Sequence, residues 1–363
     1  MIPVMRPRLP TIDHLSPYLN RIDVNQWYSN HGPLVCELEE RLTSRWDNST
    51  HVVTVSNATA GVSLTLQALG CAHGTCCLVP TWTFAATPLS VYAAGLIPYF
   101  VDVDVDTQLP NIQQIRSAVK DSDHPVSSLI VVYPFGQPID HRPWEELAGE
   151  LGIALVFDAA AAFDAWKPTT APSVISLHAT KILPSGEGGL VISKDRCLID
   201  EIRARQTFGF VGKRESIYQG VNAKMSEYHA AVGLAALDLY PERRAGLYAL
   251  AKDYKDEINE FLSDQVWIEP TFGESWVSMT LNVRVMSTRN LSEIEHQLEV
   301  CGIQTRRWWG LCHAMLAMRE APIASTIQGA SLLYGQTLGL PFFLDDDLRL
   351  DVKQVIKALL LCI

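Results

Sequence analysis

The feature that most constrains the fold is a repeated alternation between residues 51 and 190. Short runs rich in valine, isoleucine and leucine alternate there with stretches whose composition suits helices. Runs that are apolar throughout are typical of parallel strands buried on both faces, joined by crossover helices. The pattern therefore predicts an α/β fold with a mostly parallel sheet. The expected strands are residues 51–55, 76–79, 98–103, 129–132, 153–157, 174–177 and 189–192.

Helices are predicted between and after these strands. An alanine-rich stretch following Ser226 favours a helix up to Leu239. We expect Pro241 to end it, because proline lacks the N–H that a continuing helix needs. The other expected helices are residues 60–69, 144–151, 242–262 and 291–300.

The chain changes character near residue 242, where the pattern predicts a charged amphipathic helix. Strand-like residues 279–285 and a tryptophan-rich loop at 306–313 follow. The full 363 residues exceed the roughly 250 to 300 at which single cores stop growing. We therefore predict a large domain over residues 1–241 and a smaller α/β domain over residues 242–363.

Composition argues against several classes of protein. Hydrophobic residues make up 48% of the chain and charged residues 19%, which is typical of a globular protein and not of a disordered one. With 29 basic against 40 acidic residues and no long basic run, nucleic acid and anionic membranes are not expected partners. No signal peptide or membrane-spanning apolar run is recognisable. The expected location is the cytoplasm.

The eight cysteines show no paired Cys-x-x-Cys framework, so reduced thiols are expected. Cys71, His73, Cys76 and Cys77 are metal-ligand residue types, but Cys76 and Cys77 would point to opposite faces of a strand. No metal site is predicted. The chain also lacks a Gly-x-Gly-x-x-Gly segment after a strand and a Walker loop, which disfavours dinucleotide and nucleoside-triphosphate binding.

Residues just past the strands are candidates for a ligand site, because ligands of open α/β sheets collect at the carboxyl ends of strands. Residues 56–59 precede a helix, whose first N–H groups can hold a phosphate or simply be capped. Asp158 follows an apolar strand and needs a cationic or hydrogen-bonding partner, unless it only caps a turn. Lys181 lies in a loop between two strands, where desolvation would free its amine; an ordinary surface lysine is the alternative.

Taken in order, these segments resemble the DegT/DnrJ/EryC1/StrS family of sugar-nucleotide aminotransferases. The resemblance implies the aspartate-aminotransferase-like fold, called fold type I of enzymes that use pyridoxal 5'-phosphate (PLP). It implies a large domain with a mostly parallel sheet, a smaller α/β C-terminal domain, and PLP as the cofactor. The segments that carry it are residues 30–33, 38–39, 56–59, 80–87, 100–104, 133–138, 158–160, 176–189, 208–210, 220–227 and 338–341.

The resemblance implies roles for single residues. Lys181 would form the Schiff base with PLP and then act as the acid and base that moves the proton. Asp158 would pair with the pyridinium nitrogen and keep the ring protonated, so that the ring can accept electrons. Phe84 would stack on the ring and Trp82 would line the pocket, unless the two form a core aromatic pair.

The resemblance also implies a phosphate site and a partner. Ala58, Thr59 and Ser176 would hold the phosphate of PLP. Asn222 would reach the phosphate bound by a second subunit, which implies a homodimer with shared active sites. Asn222 could otherwise be a turn residue before the next helix.

Two departures from the family pattern bear on the pocket. Many members carry glutamine, and some histidine, where this chain has Ala161, so a side-chain contact to the cofactor is missing. The segment between Asp158 and Lys181 is also shorter than in most members, with residues 166–172 in place of a longer loop. The resemblance therefore does not predict which residues form the wall of the pocket on the substrate side.

Within the family, residues 57–59, 176–181 and 306–309 are most similar to enzymes that act on nucleotide-linked 4-keto-6-deoxy sugars. The resemblance implies transfer of the amino group of L-glutamate to dTDP-4-keto-6-deoxyglucose. A 3-keto sugar, or a GDP- or UDP-linked one, stays open. Arg306 and His313 would contact the sugar or the diphosphate, unless they belong to a solvated basic turn.

Three other functions are alternatives. A dehydratase branch of the family has histidine in place of the Schiff-base lysine, and Lys181 argues against it. A desulfurase needs an activated thiolate, for which Cys312 beside His313 is the candidate. A regulatory or sensor protein that keeps the fold without turnover is the alternative outside the enzymes, suggested by Ala161.

Overall fold

The computed structural model describes residues 1–47, 49–345 and 350–363. A seven-stranded sheet forms its centre, with strands in the order β1-β8-β7-β6-β5-β2-β4. The short β3 lies outside that sheet. The strands up to residue 193 are β1 (His51–Val55), β2 (Cys76–Pro80), β3 (Trp82–Thr83), β4 (Ile97–Val101), β5 (Val126–Val132), β6 (Ala154–Asp158), β7 (Ser173–Ser176) and β8 (Gly189–Ser193).

Helices cover both faces of the sheet and continue to the end of the chain. Several begin at a side-chain cap, as at Asn57, Asn111, Asp195 and Ser226, which satisfies N–H groups of the first turn. The α-helices are α1 (Ile12–Asn25), α2 (Pro33–Trp46), α3 (Ala58–Ala68), α4 (Ala86–Ala93), α5 (Ile112–Asp121), α6 (Arg142–Leu151), α7 (Arg196–Arg205), α8 (Glu227–Asp238), α9 (Tyr240–Phe261), α10 (Leu291–Val300), α11 (Gly329–Gln336) and α12 (Val352–Cys362).

The expected mostly parallel sheet is confirmed, and every predicted strand up to residue 193 is present with ends shifted by at most three residues. Strands β4, β2, β5, β6 and β7 run parallel to one another. Strand β8 is antiparallel to both β7 and β1. The reason is the connection: the segment from β7 to β8 holds no crossover helix, and only an antiparallel pair can be joined without one.

Pro241 does not end the preceding helix as expected. Helix α8 stops at Asp238, and Pro241 lies in the first turn of α9. A proline is tolerated there because the first N–H groups of a helix have no intrahelical acceptor. The break therefore falls at Leu239, the residue at which the helix was expected to end.

The last third of the chain forms a second, antiparallel sheet, in the order β12-β10-β9. Its strands are β9 (Val266–Ile268), β10 (Leu281–Val285) and β12 (Thr337–Leu340). The division into domains at 241/242 stays a prediction, and α9 runs across it. The tryptophan-rich segment 306–313 is not all loop: β11 (Gly310–Leu311) pairs with β3 in a separate two-stranded sheet.

Alternating side chains of the central strands feed a core on each face. Leu129 and Val131 belong to a cluster with helices α2 and α8, whereas Ile130 and Val132 belong to one with α3 and α4. Within the described residues, no helix combines the length and apolar character needed to cross a membrane. The sheet is thus a rigid platform, and its carboxyl edge carries the polar residues singled out from the sequence.

Candidate active site

A cavity of about 460 Å³ opens at the carboxyl edge of the parallel strands. That volume lies within the range usual for small-molecule and cofactor sites. It is lined by residues at the ends of β1, β5, β6 and β7 and by residues just before β10 of the second sheet. The lining includes Met5, Asn57, Ala58, Thr59, Phe84, Thr87, Tyr133, Phe135, Asp158, Ala161, Ser176, His178, Thr180, Lys181, Glu187, Ser278, Thr280, Arg306, Trp308 and Trp309.

Asp158 is the last residue of β6 and is buried. Its Oδ2 accepts a hydrogen bond from Thr87 Oγ1 at 2.7 Å, and its Oδ1 accepts one from the Ala160 N–H at 3.1 Å. Burial raises the pKa of Asp158, while these two donors and the charge of Lys181 lower it. Asp158 lines the cavity, and a carboxylate oxygen can accept a further hydrogen bond, so this group can pair with a cationic ring nitrogen.

Lys181 lies in the loop that joins the antiparallel strands β7 and β8. Its backbone N–H donates to the His178 carbonyl oxygen at 2.8 Å, which closes a turn. Burial lowers the pKa of the Lys181 amine, and the charge of Asp158 opposes that shift. The amine is thereby biased toward its neutral form, which is the nucleophilic one.

The N-terminus of α3 provides an anion site at one end of the cavity. Asn57 Oδ1 accepts from the Ala60 N–H at 2.8 Å, while the N–H groups of Ala58 and Thr59 have no acceptor within the helix. Ser176 Oγ accepts from the His178 N–H at 3.2 Å, so its hydroxyl proton remains available to an anion. The cap and the phosphate interpretation of residues 56–59 are thus compatible.

The structure brings Ala58, Thr59, Phe84, Asp158, Ser176, Lys181 and Arg306 to this one cavity. Phe84 is 61% exposed, so it is not a core residue. The Arg306 guanidinium lies 5.0 Å from the centroid of the Trp308 ring, a cation–π contact. Neighbouring Arg307 instead pairs with Glu295 at 2.7 Å.

Three predicted site residues are not among the described residues that line the cavity: Trp82, His313 and Asn222. Trp82 is buried and donates from Nε1 to Gln108 at 2.9 Å, as the core alternative would have it. His313 Nδ1 lies 2.6 Å from Thr81 Oγ1. Asn222 is exposed on this protomer, and its Oδ1 accepts from Lys224 Nζ.

The sequence interpretation missed residues that the fold adds to the lining. Thr87 belongs to one of the segments that resemble the family, but only its hydrogen bond to Asp158 reveals its role in the site. Ser278 and Thr280 come from a distant segment, and nothing in the sequence signals their approach. Ala161 does line the cavity. A Cβ added to Gly136 would lie 2.5 Å from the Ala161 carbonyl oxygen, so the two backbone segments pack tightly in that wall.

The donor set fits PLP. An anion site at a helix N-terminus, a half-buried lysine and a buried carboxylate line one cavity, and these are the groups that a phosphate, an aldehyde and a pyridine nitrogen require. Ala58, Thr59 and Ser176 would hold the phosphate, Lys181 the aldehyde carbon and Asp158 the ring nitrogen.

Residues 12–360 match the model of the DegT/DnrJ/EryC1/StrS aminotransferase family. The chain belongs to this family. The family predicted from the sequence is thereby confirmed, and PLP is the cofactor of that family.

Individual family members are similar over part or most of their length. Protein Rv3402c of Mycobacterium tuberculosis is 32% identical over 250 residues, which cover 65% of this chain and 60% of that protein. The dTDP-4-amino-4,6-dideoxy-D-glucose transaminase of Shigella dysenteriae is 30% identical over 241 residues, 65% of this chain and 64% of that one. The GDP-perosamine synthase of Escherichia coli O157:H7 is 26% identical over 322 residues, 86% of each. The match to the first two thus spans less than two thirds of their length.

Among solved structures, DesI in the presence of its TDP-sugar product is 30% identical to this chain. The superposition has a TM-score of 0.87 and covers 99% of this chain and 92% of that one. The predicted fold of this DegT/DnrJ/EryC1/StrS family member is therefore confirmed.

Proposed function

We propose that the protein is a PLP-dependent aminotransferase that moves the amino group of L-glutamate to a nucleotide-linked keto-6-deoxy sugar. The observation that carries this proposal is the convergence of Lys181, Asp158 and the N-terminus of α3 on one cavity. A lysine and an aspartate withdrawn from water at the same site are costly to keep unless a reaction uses them.

When bound, PLP supplies an electron sink for the carbon that loses its proton. Asp158 would keep the ring nitrogen protonated, and Thr87 and the Ala160 N–H hold the carboxylate in place for this task. In its neutral form, the Lys181 amine would take the proton from the carbon of glutamate that bears the amino group. It would then give this proton back in the later protonation step of the transfer. Phe84, being exposed at the cavity, would lie against one face of the ring.

Arg306 is the cavity residue suited to an anionic substrate. Its guanidinium lines the cavity, and Trp308 supports it from one side. A guanidinium can bind a carboxylate or a diphosphate through two parallel hydrogen bonds. We propose that Arg306 binds the acidic part of a substrate, whereas Trp82 and His313 support the wall from behind.

For the acceptor, we propose dTDP-4-keto-6-deoxyglucose, aminated at C4. The names of the Shigella transaminase and of DesI, with its TDP-sugar product, support this choice. The similarity to a GDP-perosamine synthase over most of the chain supports a GDP-linked sugar as the alternative. A UDP-linked or a 3-keto sugar remains open to the same test, and a cytoplasmic location stays a prediction.

We propose further that the active unit is a homodimer in which Asn222 reaches the phosphate site of the other subunit. Exposed apolar side chains near the cavity and near Asn222 support an interface, because large exposed apolar patches mark contact surfaces. They are Phe84, Leu89, Tyr92, Phe208, Val211, Ile217, Val221 and Tyr228.

The other functions lack comparable support. Cys312 is buried, and burial raises the pKa of its thiol to about 12, which disfavours the thiolate that a desulfurase needs. A sensor without turnover would not need a lysine whose pKa is lowered by burial at the same site as a buried carboxylate.

The first test follows the visible absorbance of the protein mixed with PLP, and then with L-glutamate. We expect the band of the lysine-bound cofactor to appear and to be converted by glutamate, and Lys181→Ala to lack both changes because no other group supplies the amine. A Lys181→Ala variant that keeps the band would contradict the assignment. A panel of keto-sugar nucleotides, assayed for the aminated product, would then identify the acceptor.

A further inference from the structure

His178 has no part in the reaction as proposed, yet contacts around the loop between β7 and β8 converge on it. Its carbonyl oxygen accepts from the Lys181 N–H at 2.8 Å, and its own N–H donates to Ser176 Oγ at 3.2 Å. Its ring Nδ1 lies 3.2 Å from the Thr180 nitrogen and 2.8 Å from Thr180 Oγ1. The backbone carbonyl and the ring of His178 therefore each accept a hydrogen bond from the turn that contains Thr180 and Lys181.

The donors fix the tautomer of this ring. The backbone N–H of Thr180 can only donate, so Nδ1 of His178 must offer its lone pair. In the neutral ring the proton then lies on Nε2, which faces Glu187 Oε1 at 3.6 Å. A carboxylate on that side favours the same tautomer. His178, Thr180, Lys181 and Glu187 all line the cavity.

We propose that His178 is a positioning residue for Lys181: through Nδ1 it holds the Thr180 peptide, and thereby sets the direction in which the Lys181 amine enters the cavity. The inference rests on the proposed role of Lys181, but not on the identity of the sugar. The turn lies in an irregular connection, where holding one residue's backbone in place costs conformational entropy. A displacement of about 1 Å at a reacting group can cost about 100-fold in rate.

Two substitutions separate this role from a general effect on folding. In His178→Asn, the amide Oδ1 replaces Nδ1 as the acceptor for the Thr180 N–H, as in an Asx turn. In His178→Leu, the side chain has comparable bulk but no acceptor. The His178 side chain is 44% exposed, so neither change opens a core cavity. Thermal unfolding of each variant checks that the fold is intact.

The readout is covalent trapping. Each protein is mixed with PLP and reduced with borohydride over a time course, and the fraction of chains modified at Lys181 is measured by peptide mass spectrometry. We expect His178→Leu to slow modification by about tenfold, the equivalent of one ordinary hydrogen bond. His178→Asn should stay within about twofold of the unsubstituted protein, because the turn keeps its acceptor.

A His178→Leu variant modified as fast as the unsubstituted protein would overturn the inference, and so would a His178→Asn variant as slow as His178→Leu. The trapping uses no sugar nucleotide, so its outcome is independent of the acceptor. Normal modification with no amination of any keto sugar would refute the proposed substrate and leave the role of His178 standing. Failure of the unsubstituted protein to be modified at Lys181 would refute the role of Lys181 itself.

Discussion

At the scale of single residues, Asp158 and Lys181 are placed at a cost to stability. Burial raises the pKa of the aspartate and lowers the pKa of the lysine, because both charged forms lose water. Each partly compensates the other, and Thr87 and the Ala160 N–H add hydrogen bonds to the carboxylate. The remaining cost is one that a cofactor with a cationic ring nitrogen would repay on binding.

Replacing Asp158 by asparagine should separate stability from activity. The amide keeps an oxygen for the Ala160 N–H and can donate to Thr87 Oγ1, so both contacts survive without the buried charge. We expect the cofactor-free variant to be more stable than the unsubstituted protein at neutral pH, by about 1 kcal/mol. The glutamate half-reaction should fall by about 100-fold or more, because the ring nitrogen loses its charged partner. Chemical denaturation and stopped-flow absorbance measure the two effects.

The pH dependence of this difference has a definite sign. The pKa of Asp158 in the folded protein lies above its ordinary value of 3.8, so the folded state binds the proton more tightly. The stability this contributes is present below 3.8 and is lost as pH rises through the folded value. The advantage of Asp158→Asn should therefore grow as the pH rises above about 4. An advantage that shrinks over this range would contradict the burial argument.

Sequence reasoning found the residues whose chemistry is distinctive. A lysine in a glycine-rich connection and an aspartate after an apolar strand can be recognised without coordinates, and both line the cavity. Thr87 and His178 were not assigned parts, because a hydroxyl or an imidazole acquires its role only from what lies within hydrogen-bonding distance. For Trp82 the prediction of a pocket residue was wrong. Its aromatic ring is buried against Trp309 and Phe135 and does not line the cavity.

At the scale of secondary-structure elements, the anion site depends on how closely β8 approaches the start of α3. A Cβ on Gly189 would lie 2.7 Å from the Ala58 nitrogen and 2.8 Å from the Asn57 carbonyl carbon. Both are backbone atoms, which cannot move aside as the end of a flexible side chain can. Gly189 thus allows the helix N-terminus to sit directly over the strand pair that precedes and follows Lys181.

We expect Gly189→Ala to weaken PLP binding by about tenfold or more and to destabilise the fold by roughly 1 to 3 kcal/mol, since the strand must shift against α3. Gly149→Ala is the matched control. Gly149 lies in α6, and no atom lies within 4 Å of where its Cβ would be. Alanine there should stabilise the protein by up to about 1 kcal/mol through helix propensity. Fluorescence titration with PLP and thermal unfolding would show whether the two glycines differ as described.

At the scale of the whole molecule, a single protomer provides a cavity with a lysine, a carboxylate and a helix N-terminus, but leaves Asn222 on its surface. Asn222 borders the exposed apolar residues Phe208 and Val221 in sequence or in space. If two protomers join across that surface, each Asn222 can approach the phosphate site of the other subunit.

Subunit mixing tests this arrangement. Lys181→Ala and Asn222→Ala should each be inactive or nearly so as pure dimers. A mixed dimer would hold one site with both native residues, so equimolar refolded mixtures should recover about one quarter of the native activity. The expected molecular mass is that of a dimer by sedimentation. Mixtures that recover nothing, while mass analysis shows mixed dimers, would place Asn222 outside the shared site.

The sequence by itself determined the α/β class, the positions of the strands and the family, because apolar periodicity and short motifs are local properties of the chain. The tertiary structure decided the features that depend on distances between residues far apart in the chain. It reversed β8 relative to its neighbours, because the connection after β7 holds no crossover helix. It placed Pro241 in the first turn of α9, and it excluded Trp82 and His313 from the cavity lining while adding Ser278 and Thr280. Burial and hydrogen bonds between residues far apart in the chain arise only on folding, and they turned Lys181 and Asp158 from two polar residues into a candidate site.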